Sequence, residues 1–486
     1  MKVCFINPPF KAEYGKFSRE SRSPSIGHSG VLYYPLWLIY AAAVVEKDGY
    51  DITFIDAPAK RLNEEKTLAR VEAEAKNSRL FVLDTSTPSI YSDVKFAESL
   101  KKNYPESKVM LVGTHPSIMD EETMGFSNAI DFIARHEYDY IVRDTVRALD
   151  KGIDITSVNG LTYRDKDGSI QKTPNAEHIT DLDNIPFAAE FIHNHLDIHD
   201  YVFPAAELPE IQIFTGRGCP AHCYFCVYPQ TLHGHQFRLR SPENVVAEFE
   251  YIVKNFPEVK EVVLEDDTFT ANKQHVIEIC NLLIEKKINR KLRWLCNARM
   301  NLDLESMKMM KKAGCHLIIP GVESYNEQIL LNIKKGIKKE WIDAYMANAH
   351  KAGLLVHACY MVGNMGETHE TMKTTMDAAL RFKTDTAQFF PLIPYPGTEA
   401  FKWAKENGFI SGKYEDYLQE DGTLNCVINT PELSAKELVD FCAMARKKYY
   451  MRPWYICHRI WMGLKDPADL KRSLKAFWRL KDSLLK

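Results

Sequence analysis

"EIQIFTGRGCPAHCYFCVYP", residues 210–229, runs a strand-like segment, Glu210 to Gly216, directly into a loop that places Cys219, Cys223 and Cys226 within eight positions. Ligand-bearing residues just past a strand are the signature of a β/α barrel mouth, because such barrels build their sites at the carboxyl ends of their strands. Five further strand-like runs follow: "VKEVVLE" (259–265), "LRWLCNA" (292–298), "HLIIPGV" (316–322), "LLVHACYMVG" (354–363) and "AQFFPLIP" (387–394). Helical stretches separate them. In "SPENVVAEFEYIVKNF", Ser241 fits the N-cap and Pro242 the first helical position. Six units predict a partial (β/α)6 barrel over residues 209–400, with the cysteines at its mouth.

Upstream, the same alternation runs through the first 150 or so residues. "KVCFINPP", "DITFIDA", "LFVLDTS", "VMLVGTH" and "DFIARH" read as strands, and "PLWLIYAAAVVEKDG", "EEKTLARVEAEAKN" and "SDVKFAESLKKNYP" as helices between them, with Gly49 closing the first helix. This predicts a doubly wound, Rossmann-like parallel sheet over residues 1–180, whose ligand would sit outside strand ends at Pro8, Asp56, Thr85, Ser86, Thr87, Gly113 and His115. No dinucleotide or P-loop glycine motif follows the first strand, so the ligand is expected to be something else. Residues 181–208, proline-bearing and without clear period, read as a linker, and residues 401–486 as a C-terminal helical region.

Composition bounds the rest. A chain of 486 residues, net charge −3 and 45% hydrophobic content suits two or three soluble domains and offers no basic footprint for nucleic acid. No run behind the amino terminus reads as a signal peptide and none is long enough for a membrane span, which predicts a cytoplasmic protein. Of the 11 cysteines, Cys280, Cys296, Cys359 and Cys442 stand alone in apolar runs and are expected to be simply buried.

The three clustered cysteines need another explanation. A structural zinc site wants four ligands, and no second C-x-x-C or H-x-x-x-H stands within reach of the loop. A disulfide uses two thiols. Three thiolates suit a four-iron cluster with one iron left for a small ligand. The spacing C-x3-C-x2-C resembles that of the radical-SAM superfamily, which implies a [4Fe-4S] cluster held by Cys219, Cys223 and Cys226, with S-adenosyl-L-methionine on the open iron and cleaved to a 5'-deoxyadenosyl radical. It also implies an external electron donor such as flavodoxin or ferredoxin. By the same resemblance, Phe225 packs near the adenine, Glu265 and Asp266 in "LEDDTF" face the methionyl amine, and Asn297, Arg299 and Glu323 hold ribose or carboxylate. Met361 in "MVGNMGET" lies along the adenine.

A doubly wound domain ahead of such a barrel is similar to the cobalamin-binding domain of the B12-dependent branch, so cobalamin is expected at the first sheet, over small residues such as Thr85, Ser86, Thr87 and Gly113 that leave room for the macrocycle. The D-x-H-x-x-G motif that supplies a histidine to cobalt is absent, "DAPAKR" standing after the second strand, and the glycine and glutamate run after the fifth is altered to "ARHEYDY". The cluster loop and "DTSTPSIYSDVK" look like hopanoid-associated members and relatives of the anaerobic magnesium-protoporphyrin ester cyclase. That implies a small-molecule or lipid-like substrate and either C-methylation or skeletal or ring rearrangement of an unactivated carbon, with His233, His235 or Tyr228 as a base. Two other classes stay open: a radical-SAM enzyme without corrin, and an iron–sulfur redox or binding protein. The basic tail, with Trp454, Trp461, Phe477 and Trp478, reads either as a peripheral contact with the inner membrane face or as a helical layer on the barrel.

Overall fold

A computed structural model describes residues 1–27 and 30–465. The first half comprises β1 (Lys2–Asn7), a short hairpin β2–β3 (Lys16–Ser18, Ser25–Gly27), α1 (Leu36–Lys47), β4 (Asp51–Asp56), α2 (Glu64–Glu74), β5 (Leu80–Thr85), α3 (Ile90–Asn103), β6 (Lys108–Gly113), α4 (Thr114–Ile118), α5 (Asp120–Phe126), β7 (Phe132–Ala134) and α6 (Asp139–Lys151), then β8 (Leu161–Arg164) and β9 (Ile170–Lys172). The strands order as β4-β1-β5-β6-β7-β8-β9. The first five are parallel, and β8 and β9 extend the sheet antiparallel, an edge the sequence reading did not include. Order reverses at β1 and β5, so Asn7 and Thr85 flank the switch point where such sheets bind ligands.

Helix α1 explains how the halves join. Every residue from Leu36 to Val45 is buried, because the helix lies between the first sheet and the barrel and has no face left for water. Tyr40 accepts a hydrogen bond from the Phe214 N–H at 3.1 Å, just past the first barrel strand. One continuous apolar cluster therefore runs from Val3 to Tyr449. The 181–208 stretch is no free linker: it forms α7 (Ala188–His195), and Phe203 and Ala206 pack inside the barrel on Val263, Leu295 and Leu317.

The second half comprises β10 (Glu210–Ile213), a two-stranded ribbon β11–β12 (Gly216–Arg217, Arg238–Leu239), α8 (Pro242–Asn255), β13 (Glu261–Leu264), α9 (Lys273–Glu285), β14 (Arg293–Ala298), α10 (Leu304–Lys312), β15 (Cys315–Glu323), α11 (Glu327–Asn332), α12 (Lys339–Ala352), β16 (Leu355–Val362), α13 (His369–Phe382) and β17 (Thr386–Pro391). Strands β10-β13-β14-β15-β16-β17 are all parallel and in chain order, the partial six-stranded barrel that the spacing predicts. Ser241 caps α8 and Pro242 opens it, as expected.

The C-terminal region departs from a purely helical layer. After α14 (Glu399–Glu406), residues 407–433 are irregular, and the turn Tyr414–Tyr417 crosses to the first sheet, where Tyr414 meets His115 with ring centroids 4.6 Å apart. Then α15 (Ala435–Tyr450) covers β17, with Tyr450 donating to the Ala387 carbonyl at 2.7 Å, and α16 (Pro453–Lys465) follows. Residues 466–486, including Phe477 and Trp478, lie outside the described residues. Trp454 and Trp461 stand on α16, 37% and 53% exposed.

Candidate functional site

The cluster loop begins where β11 ends and returns at β12. Cys219 and Cys223 are buried and Cys226 is half-buried, all three as free thiols. Gln230 fixes the loop's shape by donating its amide to the carbonyls of Cys223, Tyr224 and Cys226 (3.3, 3.3 and 2.7 Å) and accepting the Glu399 N–H at 3.0 Å. Gly218, at φ +81, lets the turn pass so close to Gln236 that a Cβ would stand 2.2 Å from its carbonyl oxygen.

The electrostatics suit thiolates that gain a metal. Burial raises the Cys226 thiol far above its ordinary value, with charge on Cys223, Asp267 and Cys219 adding to the effect and Arg22 opposing it. Cys219 is raised too, first by burial, with Arg299 opposing. The Lys335 ammonium feels Cys223. Arg22, Arg299 and Lys335 thus bring positive charge toward the loop from three different elements, and an iron core would add the positive charge that thiolate ligands need. Among the described residues no three Cys, His, Asp or Glu side chains converge as on a single ion.

Around the loop stand the side chains expected at the strand ends. Glu265 accepts from Arg22 Nη1 at 3.0 Å and from Asn297 Nδ2 at 3.4 Å, while its other oxygen, Oε1, is buried without a partner. That acceptor fits an amine. Glu323, with φ 61°, pairs with Lys335 at 2.8 Å, and the Lys335 Nζ lies 5.7 Å from the centre of the Phe225 ring. Arg299 donates to the Lys335 carbonyl at 3.4 Å. Met361 is buried at the end of β16, and its carbonyl takes the Asn364 amide at 3.0 Å.

Two expectations change. Asp266 is turned away from the mouth: it accepts the Thr215 and Gly216 N–H groups and the Thr215 hydroxyl, and burial pushes its carboxyl up to about 7. Its role is to hold the barrel entrance, and the acid of "LEDDTF" beside the cluster loop is Asp267, which pairs with His233 Nδ1 at 3.3 Å. Cys359 is not an ordinary core thiol either. It lies half-buried on β16 opposite Gly321 and Gln388, with burial and the Glu323 charge lifting it to about 12.

Of the expected bases, His233 is buried against Trp37, His235 hydrogen-bonds the Cys219 carbonyl at 3.1 Å, and the Tyr228 hydroxyl donates to the Glu20 carbonyl at 2.8 Å. All three therefore have protein partners.

The first sheet's carboxyl edge faces this loop. His136 donates to the Thr231 carbonyl at 2.8 Å, and Gly397 sits against both Ile118 and Thr231. At that edge several buried polar atoms lack partners: Asp84 Oδ2, His115 Nε2, Tyr138 hydroxyl and Trp37 Nε1. Such a mixed set of donors and acceptors fits a ligand rimmed with amides, as a corrin is. Thr85, Ser86 and Thr87 are buried and bonded to Val112, Ser89 and His115, and the Pro8 carbonyl is taken by Arg19. Gly113 is small for a reason other than room for a ligand: at φ +115 its Cβ would stand 2.1 Å from the Thr85 oxygen, so strand geometry demands glycine there.

Comparison with known proteins agrees with this geometry. The Radical SAM superfamily model matches residues 213–379 and the B12 binding domain model residues 23–145. The chain thus joins a B12-binding domain to a radical-SAM domain, and its cofactors are a [4Fe-4S] cluster, S-adenosylmethionine and cobalamin. It is 29% identical to an uncharacterized methyltransferase of Pyrococcus horikoshii over 93% of both chains, and 28% identical to the anaerobic magnesium-protoporphyrin IX monomethyl ester cyclase of Rubrivivax gelatinosus over 98% of this chain and 82% of that protein. The fold matches that of TsrM from Kitasatospora setae, solved with cobalamin and [4Fe-4S] cluster bound, with a TM-score of 0.70 over 93% of this chain and 89% of that one at 16% identity.

Sequence reasoning missed Arg22, Lys335, Gln230 and Asp267. Asp267 lay in view one position on, but Arg22 sits in "RESRSP" of the first half and carries no local sign of its partner.

Proposed function

We propose that this enzyme methylates an unactivated carbon of a bulky, largely apolar small molecule held between the two carboxyl edges. The observation that carries the reading is the three-cysteine loop itself, which leaves the mouth of the barrel and is tied to the carboxyl edge of the first sheet through His136 and Thr231. When bound, the cluster and S-adenosylmethionine supply a carbon-centred radical, and cobalamin supplies the methyl group.

The chain's own residues then have these roles. Cys219, Cys223 and Cys226 ligate the cluster. Glu265 takes the methionyl amine on its free Oε1, Arg299 and Lys335 face the carboxylate, Asn297 and Glu323 orient the ribose, and Phe225 and Met361 line the adenine. Phe203 and Ala206 fill the barrel behind this layer, which keeps substrate at the mouth and water out. Pro8, Thr85, Thr87 and His115, at the carboxyl edge of the first sheet, would hold cobalamin. His233, paired with Asp267, holds or accepts a proton at Nε2.

Methylation is favoured over rearrangement because several relatives are methyltransferases by name, among them the bacteriochlorophyllide d C-12(1)-methyltransferase of Chlorobaculum tepidum. Tetrapyrrole relatives such as that one and the ester cyclases support a bulky apolar substrate. Electrons come from an external flavodoxin- or ferredoxin-like donor. A peripheral membrane contact through α16 would bring a lipid-like substrate to the mouth; Ile456, Ile460 and Leu464 are 41%, 53% and 75% exposed there. No described helix is long and apolar enough to cross a membrane.

The test is product analysis. Reconstituted enzyme incubated under strong reductant with S-adenosylmethionine and a candidate tetrapyrrole should release both 5'-deoxyadenosine and S-adenosylhomocysteine. Release of 5'-deoxyadenosine alone, with a modified but unmethylated substrate, favours rearrangement or ring formation.

A further inference from the structure

The base of the cluster loop is a ribbon of two residue pairs, and one pair sets Arg217 directly opposite Arg238. Like charges facing across an antiparallel pair repel. Both arginines are buried, 3% and 5% exposed, so water does not screen them. The charge that reconciles them comes from the other half of the molecule. Glu137 places Oε1 2.8 Å from Arg217 Nη1 and Oε2 2.7 Å from Arg238 Nη1.

The neighbours of Glu137 complete the grip. Asp139 takes both terminal nitrogens of Arg217, at 2.7 and 3.0 Å. His136 donates to the Thr231 carbonyl in the middle of the loop at 2.8 Å. Behind them, the His136 N–H donates to Ser117 Oγ at 3.0 Å, and Ser117 donates to the Gly113 carbonyl at 2.7 Å, at the end of β6. Residues 136–139 therefore hold the loop at its start, middle and return, and connect that hold to the edge where the corrin is expected. They lie in "ARHEYDY", the altered segment after the fifth strand.

We propose that Glu137 is a positioning residue that closes the base of the cluster loop and fixes the separation of cluster and cobalamin. Its carboxylate oxygens are taken by protein partners, Arg217, Arg238, the Ile179 N–H and His178. It acts by placing one carboxylate between two opposed arginines, so that the loop bearing Cys219 cannot shift without breaking contact with the first sheet. The inference rests on both cofactors being bound, and its test separates the two ideas.

The test uses protein reconstituted with iron, sulfide and cobalamin, and reads iron content together with the spin–spin interaction between the reduced cluster and Co(II) cobalamin in frozen-solution EPR. Glu137→Gln should shift or broaden that interaction and lower iron retention on desalting, because the arginines now repel. Adding Arg238→Gln removes the repulsion and should restore both readouts toward wild type, even if Glu137→Gln alone folds poorly. An unchanged interaction in Glu137→Gln, or a double variant no better than the single, overturns the proposal. Wild-type protein that fails to hold the cofactors would instead refute the cofactor reading itself.

Discussion

Arg22 and Glu265 meet at 3.0 Å although one lies in the excursion between β2 and β3 and the other at the end of β13. The excursion thus supplies a cation to the barrel mouth, and Arg22 is also the charge that opposes the raised thiol of Cys226. Its removal should leave the cluster in place while depriving the carboxylate that receives the methionyl amine of the partner that orients it. Arg22→Gln should retain iron and bind S-adenosylmethionine about fivefold more weakly, the effect of roughly 1 kcal/mol for a charge-assisted bond at a partly exposed site. The change that S-adenosylmethionine causes in the cluster EPR signal, titrated in both proteins, gives the ratio, and equal titrations would remove Arg22 from the site.

Gly113 offers a test of why the first sheet carries small residues. Its φ of +115 and the 2.1 Å approach to the Thr85 oxygen mean that even alanine forces β5 and β6 apart. Gly113→Ala should lower stability by about 2 kcal/mol or more, seen as a fall in Tm of the cofactor-free protein. A variant with unchanged Tm that merely loses cobalamin would return Gly113 to the role of making room for the corrin.

What the sequence conveyed divides along physical lines. Strand after strand was legible because buried parallel strands need apolar runs, and the site loop because C-x3-C-x2-C has few other uses. Local capping at Ser241 and Pro242 was equally clear. Contacts that join distant segments left no local trace. Arg22 reaching Glu265, Tyr414 crossing to His115, and Glu137 dividing Arg217 from Arg238 are each set by the docking of the two halves, and a strand-by-strand reading has no access to it. The acid of "LEDDTF" was misplaced by one position because period-2 alternation breaks down where a strand ends, and Asp266 turns back to hold Thr215 while Asp267 faces His233.

His115 predicts a pH response. Burial holds its imidazole down to about 3, so it stays neutral in the folded protein, whereas the unfolded chain protonates near the ordinary value of 6.5. The unfolded state then binds more protons between those limits, and the stability this residue contributes above 6.5 is lost as pH falls toward 3. The slope is at most about 1.4 kcal/mol per pH unit. His115→Gln should flatten the acid limb of urea-unfolding stability measured from pH 7 to 4, and an identical slope would show that His115 is solvated in the folded protein.

Membrane contact is decided by sedimentation. A chain ending at Met451 lacks α16 but keeps Tyr449 and Tyr450, whose hydroxyls bond the Thr384 and Ala387 carbonyls and so support β17. The 486-residue chain should bind anionic liposomes at low salt, lose binding at high salt, and exceed the shorter form. If both stay in the supernatant at low salt, α16 is ordinary helical packing and the substrate arrives from solution.

The central claim is that one chain holds an iron–sulfur cluster on three cysteines and a corrin on the facing sheet. Protein reconstituted anaerobically with iron, sulfide and hydroxocobalamin, then desalted, should carry about four irons and one corrin, and Cys219→Ala, Cys223→Ala and Cys226→Ala should each lose the iron while keeping the corrin. Iron retained in any of the three variants, or wild-type protein that emerges without corrin, would contradict it.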